Sequence, residues 1–137
     1  MQAGMGIIVL NPNVNSYVSV DKDGNSIRLP ITFNETPEKH MRYVWDSIIS
    51  RTSAKNILIM AYGQGGALAK TLIQEREEAV LRKLRAIAFA ESSHSLTSDL
   101  TFCLTTTESK ATRDFLENHT INWMLSEVEI GQRHYVC

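Results

Sequence analysis

A glycine-rich turn between an apolar run and a helix-forming segment contains the residue types that could do chemistry. Residues 57–61 are apolar without interruption, as in a strand that is buried on both faces. Gly63, Gly65 and Gly66 follow, and glycine adopts positive φ angles without a steric penalty from Cβ. Strand, tight turn and helix, in this order, are the elements of the nucleophile elbow of serine hydrolases, whose sequence is G-x-S-x-G. Residues 61–65 read AYGQG, so the sequence predicts the turn without its nucleophile.

Possible acid–base residues follow the next apolar run, residues 85–90. Glu91 and His94 could be the remnant of an acid–base pair, and the favoured alternative is a carboxylate at a strand end beside a loop histidine. Ser92 and Ser93 also follow this run, but no glycine-flanked elbow presents them as nucleophiles. A working hydrolase needs a nucleophile, a base within hydrogen-bonding reach and an oxyanion hole. The residues therefore favour a domain without catalysis.

Metal and cofactor sites are not indicated by the sequence. His94, His119 and His134 lack the spacing of zinc ligands, and Cys103 and Cys137 form neither a metal nor a redox motif. The glycine turn lacks the Lys-Ser/Thr of a P-loop and a complete G-x-G-x-x-G fingerprint. We predict neither a metal ion nor a cofactor.

Length and composition are those of one ordinary globular domain. The 137 residues are 43% hydrophobic and 21% charged, enough for a substantial core. The net charge of −1 provides no overall attraction to nucleic acid or to acidic membranes. No apolar window is long enough to span a bilayer, and residues 1–10 do not have the pattern of a signal peptide. Two distant cysteines fit a reducing compartment, the cytosol or the nucleus.

Apolar patterning predicts the elements that would position the turn. Continuous apolar runs at residues 6–10, 57–61 and 85–90 predict three buried strands. Residues 14–20 and 26–31 flank a turn cluster and predict a β-hairpin. Helices are predicted from Pro37 onward, over residues 67–84 and over residues 111–125, and residues 95–110 are predicted to be mostly loop.

The first of these helices has a clear start and a clear buried face. Thr36 supplies a capping hydroxyl and Pro37 suits the first helical position. Trp45 belongs to an apolar stripe at helical spacing, so we expect it in the core. His40 lies beside the stripe and is expected at the surface.

Buried strands separated by helices predict an α/β fold with a mainly parallel sheet, right-handed crossovers and the hairpin as an addition at its edge. Ligand sites in such sheets gather at the carboxyl ends of the strands. Asn11, Gly63, Gln64, Glu91 and His94 all follow predicted strands. These residues are the ones that could form a site.

Several strings, in order from about residue 6 to about residue 124, resemble one protein family. The matching strings are residues 10–13 (LNPN), 36–46 (TPEKHMRYVWD), 54–57 (AKNI), 61–66 (AYGQGG), 90–94 (AESSH), 112–115 (TRDF) and 122–123 (NW). By these strings the chain is similar to the cotranscriptional-regulator family that carries the Argonaute-binding-protein-two (Arb-two) domain.

The resemblance implies a three-layer, α/β-hydrolase-like fold used for protein contacts. The family elbow reads Ala-His-Ser-Tyr-Gly-Gly, and this chain departs from it at positions 62–64, where Gly63 replaces the serine. Glu91 matches the family's acid and His94 its nearby histidine. His134 comes close to a late histidine that would complete a triad, with a spacing that differs by one. These four residues are therefore predicted to be relic positions without a catalytic role.

The resemblance also implies partners and a location. The family is tied to Argonaute complexes, heterochromatin directed by small RNA, transcription and alternative splicing, so we expect a nuclear protein, with some in the cytoplasm, that binds Argonaute and chromatin or splicing regulators. Direct binding of nucleic acid or membranes is not expected. The family domain begins before Met1 and continues beyond the last residues, so residues 1–137 are predicted to be one shortened domain. The alternative function is a residual esterase, or a small-ligand binder, at the elbow.

Overall fold

The computed structural model describes residues 4–92 and 109–125, and the chain divides into two compact units, residues 1–52 and 53–137. The first unit contains a hairpin and a helix that ends in a π-helical turn: β1 (Ser16–Val20), β2 (Ser26–Pro30), α1 (Pro37–Val44) and Trp45–Ile49. The second unit alternates strands and helices: β3 (Ile57–Tyr62), α2 (Gly65–Glu75), α3 (Glu77–Lys83), β4 (Leu84–Ala90), α4 (Lys110–Asn118) and β5 (Thr120–Trp123). The predicted α/β class, with a parallel sheet and a hairpin, is confirmed.

The hairpin of the first unit forms where the turn cluster predicted it. β1 and β2 pair antiparallel, with Val18 opposite Arg28. In the turn, the Asp21 carboxylate accepts the N–H groups of Asp23 at 2.9 Å and Asn25 at 2.8 Å. Hydrogen bonds from Asn25 hold the pKa of Asp21 below its ordinary value, and Gly24 supplies the left-handed residue with φ +84°.

Helix α1 begins and buries its stripe as the sequence predicts. The Thr36 hydroxyl accepts the N–H of Lys39 at 3.2 Å, and Trp45 is almost fully buried. The surface position expected for His40 is wrong, because this side chain is half-buried and its Nδ1 lies 2.6 Å from Oδ1 of Asn34.

The sheet of the second unit has the strand order β3-β4-β5 with all three strands parallel. Right-handed crossovers that advance in one direction place their helices on the same face of a sheet. On that face Ile87 and Phe89 of the central strand are almost fully buried, as are Ile73 of α2 and Val80 of α3. The core of this unit therefore lies between the sheet and its helices.

The strand predicted at residues 6–10 is wrong. The structure contains no strand there, and Ile7 and Val9 are largely exposed. A strand forms only by hydrogen bonding to a neighbour, and among the described residues β3 pairs with β4 alone. An apolar run is therefore insufficient to make a strand.

Two predicted helices are also shorter than expected. Residues 67–84 divide at Arg76, whose φ of −134° and ψ of 32° interrupt the helix, and Leu84 opens β4. The helix predicted over residues 111–125 ends at Asn118 and β5 follows. Residues 120–123 read TINW, and β-branched and aromatic residues that pair with β4 are more stable in a strand than in a further helical turn. The loop predicted at residues 95–110 falls almost wholly outside the described residues.

Candidate functional site: an elbow without a nucleophile

The turn between β3 and α2 is a sharp strand-to-helix elbow. Gly63 follows the last residue of β3 and has a left-handed backbone with φ +52°. Its N–H donates to the carbonyl oxygen of Ala90 at 3.0 Å, and its carbonyl accepts the N–H of Gly66 at 3.2 Å. Since α2 begins at Gly65, residue 63 stands at the carboxyl end of the sheet, directly before the helix.

The backbone conformation, rather than lack of space, makes glycine favourable at this position. A Cβ placed on Gly63 would meet nothing within 4 Å. A φ of +52°, however, costs a residue with a side chain on the order of 1–3 kcal/mol. The structure therefore places a left-handed residue without a side chain between β3 and α2.

The start of α2 could still attract a negatively charged or polar atom. Gln64 is the N-cap residue and its side chain makes no capping hydrogen bond. The first N–H groups of a helix have no partner within the helix and carry partial positive charge. Such groups can polarise a carbonyl, but they cannot attack it.

Glu91 lies at the same edge of the sheet, where its carboxylate has a structural contact. It follows Ala90, which accepts the N–H of Gly63. Its own N–H donates to the carbonyl of Trp123 at 2.8 Å, and its Oε1 accepts the N–H of Leu125. These bonds join the residue after β4 to the last residue of β5 and to Leu125 beyond it, and Glu91 has a left-handed φ of +47°.

The other predicted site residues are buried, belong to the first unit or lie outside the described residues. Ser92 is buried, so its hydroxyl is not presented at the edge. Asn11 belongs to the first compact unit. His94, His134 and Ser93 lie outside the described residues. The structure therefore brings Gly63, Gln64 and Glu91 to one edge of the sheet, buries Ser92 and does not test Ser93, His94 or His134.

Comparison with known proteins decides the family. The sequence profile of the Arb2 domain matches residues 1–130. The chain belongs to the Arb2 domain family. This confirms the resemblance that the motifs of residues 36–46 and 61–66 indicated.

Among the curated relatives of this Arb2 domain are proteins named as cotranscriptional regulators. A cotranscriptional regulator ARB2A homolog of Xenopus tropicalis is 32% identical over 110 residues, which are 80% of this chain and 24% of the relative. Cotranscriptional regulator ARB2A of Mus musculus is 26% identical over 171 residues, covering 92% of this chain and 39% of the mouse protein. The chain thus spans between about a quarter and two fifths of the length of these relatives. No solved structure matches.

One polar cluster of the Arb2 domain escaped the sequence analysis. The Glu77 carboxylate accepts the hydroxyl of Ser109 and, at 2.7 Å, that of Thr112. Ser109 is the N-cap of α4, where its oxygen accepts the N–H of Thr112 at 3.1 Å. The hydroxyl of Ser109, and then that of Thr112, hold the pKa of Glu77 below its ordinary value. Ser109 could have been identified as a cap, but no local pattern indicates a partner more than thirty residues earlier.

Clustered metal ligands and membrane-spanning helices are both absent from the described parts of this Arb2 domain. Within residues 4–92 and 109–125, no three His, Cys, Asp or Glu residues gather in a way that could hold a metal ion. None of the helices described there has the length and apolarity needed to cross a membrane.

Proposed function

We propose that this Arb2 domain is a protein-interaction domain without catalytic activity, built on an α/β-hydrolase-like, three-layer plan as one domain. Its expected partners are Argonaute and the regulators of chromatin or splicing, and its expected location is the nucleus, with some in the cytoplasm. The observation that carries the proposal is the elbow at Gly63, which has the backbone of a nucleophile turn and no side chain. The names of the relatives, which describe cotranscriptional regulation, support a regulatory role.

The residues at the relic positions fit a domain without catalytic activity. Gly63 cannot attack a carbonyl, and the Glu91 carboxylate accepts a backbone N–H instead of a histidine N–H among the described contacts. His94 and His134 would complete the relic set by resemblance.

Charge supports contact with protein rather than RNA. Proteins that bind the phosphate backbone concentrate Lys and Arg on one surface, whereas this chain has 14 basic and 15 acidic residues. We therefore propose that the domain reaches RNA-directed complexes through their protein components. Submicromolar binding of a purified RNA at physiological salt, with affinity falling steeply as salt rises, would contradict this part of the proposal.

Affinity purification from nuclear extract tests the proposed partners. The tagged chain is incubated with RNase-treated extract, and bound proteins are identified by mass spectrometry against a tag-only control. Argonaute or chromatin-silencing proteins should be enriched, and the enrichment should survive RNase because the contact is between proteins. Enrichment that disappears with RNase, or none over the control, would contradict the proposal.

The second candidate function, a residual esterase or acyl-ligand site, is favoured by the helix N-terminus behind Gly63. A fluorophosphonate probe distinguishes it, because the probe labels an activated serine covalently. We expect no labelling of the wild-type chain. Stoichiometric labelling that maps to Ser92 or Ser93 would establish the enzyme instead.

A further inference from the structure

The turn of the β1–β2 hairpin contains an Asp-Gly pair, Asp23 and Gly24. Of the 7 glycines in the chain, Gly24 alone follows Asp or Asn. The backbone nitrogen after an aspartate can attack the side-chain carboxyl carbon of that aspartate, because the two atoms close a small, unstrained succinimide ring. Glycine favours this attack because it carries no side chain beside the nitrogen. The pair is therefore a candidate for chemical modification of the chain by itself.

Hydrogen bonds hold this pair in a conformation that does not react. The Asp21 carbonyl accepts the N–H of Gly24 at 3.2 Å, which closes a β-turn over residues 21–24. The Asp21 carboxylate accepts the N–H groups of Asp23 at 2.9 Å and Asn25 at 2.8 Å. Gly24 has φ +84°, as in a hairpin whose type I turn ends in a left-handed glycine. In a type I turn the residue at the place of Asp23 has ψ near 0°, so the next nitrogen eclipses its backbone nitrogen rather than its Cβ.

We propose that Asp23 is a site of spontaneous isoaspartate formation and that the Asp21 carboxylate sets its rate. When the bonds to Asp21 break, the turn opens and the Gly24 nitrogen can rotate towards the side-chain carboxyl carbon of Asp23. The reacting atoms belong to adjacent residues of one turn, so the step does not depend on what lies against the hairpin. This inference is independent of the proposed partners and of the elbow.

The reaction exchanges only water. The Gly24 nitrogen forms a bond to the side-chain carboxyl carbon of Asp23 and gives up its proton, and one carboxyl oxygen leaves as water. Water then adds to the backbone carbonyl carbon of residue 23, and the original peptide bond to Gly24 breaks. The main chain now runs through the former side chain, and a carboxylate remains on Cα. The product has the same composition and mass as the starting chain.

Isoaspartate at residue 23 changes the hairpin. It lengthens the main chain of the turn by a methylene group, so the Gly24 N–H and the Asp21 carbonyl no longer close the same ring. Val20 and Ser26 form the pair of the ladder nearest to this turn. We expect this end of the ladder to open in the modified chain. The carboxylate on Cα is also the group that a protein-isoaspartate methyltransferase esterifies.

Asn25, which precedes Ser26, is the competing site, because deamidation of asparagine passes through the same kind of ring. The Asn25 side-chain nitrogen donates to Oδ2 of Asp21 at 3.2 Å, and the Asn25 carbonyl accepts the N–H of Asp21 at 2.9 Å. The Asp23 side chain, by contrast, makes no hydrogen bond or ion pair with the described residues. It can therefore rotate without breaking a bond, and the structure favours residue 23 over residue 25.

Peptide mapping of the purified chain during incubation at physiological pH tests the inference. Methyl transfer from S-adenosylmethionine by a protein-isoaspartate methyltransferase measures the isoaspartate formed, and electron-transfer fragmentation assigns the residue. Modification of Asp23 leaves the mass unchanged, whereas deamidation of Asn25 increases it. Wild type unfolded in urea gives the rate of an open turn. This rate should exceed that of the folded chain at least about tenfold, as expected when several turn hydrogen bonds are lost.

Variants at residues 21 and 23 isolate the role of the Asp21 carboxylate. Asp21→Ala removes the acceptor and should increase the rate in the folded chain about tenfold. Asp21→Asn keeps an acceptor oxygen for the turn and should increase it less than about threefold. Asp23→Glu keeps the charge and should form no isoaspartate at residue 23, because a larger ring would have to close. Circular dichroism confirms that each variant is folded.

Three results would overturn the inference. The first is isoaspartate at residue 25 and none at residue 23. The second is an equal rate at residue 23 in the folded chain and in urea, which needs no variant and decides the matter where Asp21→Ala fails to fold. The third is a folded Asp21→Ala that reacts no faster than Asp21→Asn.

Discussion

Replacing Glu77 by alanine should destabilise the second unit by leaving a buried hydroxyl without an acceptor. In the structure the Glu77 carboxylate accepts the hydroxyls of Ser109 and Thr112, and so joins the start of α3 to the start of α4. Thr112 is only 2% exposed, so its hydroxyl cannot turn to bulk water when the carboxylate is removed. Ser109 keeps its bond to the N–H of Thr112.

The expected loss of stability comes from the Thr112 hydroxyl, which loses its acceptor, and not from Ser109, which keeps a hydrogen bond. A buried polar group that loses its partner costs about 1–3 kcal/mol. Glu77 is partly exposed, so water screens its charge, and the loss of the carboxylate itself adds little to the cost of the unpaired Thr112 hydroxyl. We expect Glu77→Ala to reduce the free energy of unfolding by about 2 kcal/mol.

Urea denaturation in a double-mutant cycle measures this effect. In the Thr112→Val background no threonine hydroxyl is left unpaired, so Glu77→Ala should cost about 1 kcal/mol less than it does in wild type. Glu78→Ala is the matched control, because Glu78 is exposed in the same helical turn, and should change stability by less than about 0.5 kcal/mol. Equal costs of Glu77→Ala in the two backgrounds would refute the reasoning.

The remaining predictions concern pH, the elbow and the core. Hydrogen bonds lower the folded-state pKa of Glu77, so its contribution to stability is present above the ordinary glutamate pKa and is lost as pH falls through the folded pKa. In urea titrations from pH 7 to acid, the free energy of unfolding of wild type should therefore approach that of Glu77→Ala. A difference that stays constant with pH would contradict this. Gly63→Ser, at φ +52°, should lose about 1–3 kcal/mol of stability and gain no turnover of a p-nitrophenyl ester, and a stable, active variant would be the opposite result. Trp45→Ala, at a buried position, should cost about 3–5 kcal/mol in the same denaturation experiment, whereas a cost below about 1 kcal/mol would show that Trp45 is not part of a core.

Local chemistry explains how much of the fold was predictable. The Thr36 cap, the hairpin turn at Asp21 and the glycine turn at Gly63 each depend on residues close in sequence, and the structure has all three. Residues 6–10 and 120–123 were misassigned because a strand depends on a distant partner. The first run has no pairing strand in the described structure, and the second pairs with β4.

The candidate site was likewise predictable only where it depends on residues close in sequence. The positive φ of Gly63 and the missing nucleophile could be read from the glycine pattern. The use of Glu91 as an acceptor for Leu125, and of Glu77 as an acceptor for α4, required contacts between residues more than thirty positions apart. Such contacts have no periodic signal in one sequence.

Isothermal titration of the purified chain with purified Argonaute tests the central claim most directly. A protein-interaction domain predicts saturable binding with a defined stoichiometry, unchanged when both proteins have been treated with RNase. The same preparation should leave a fluorophosphonate probe unreacted. Absence of any binding heat, together with covalent labelling of the chain by the probe, would contradict the account and identify the domain as an enzyme.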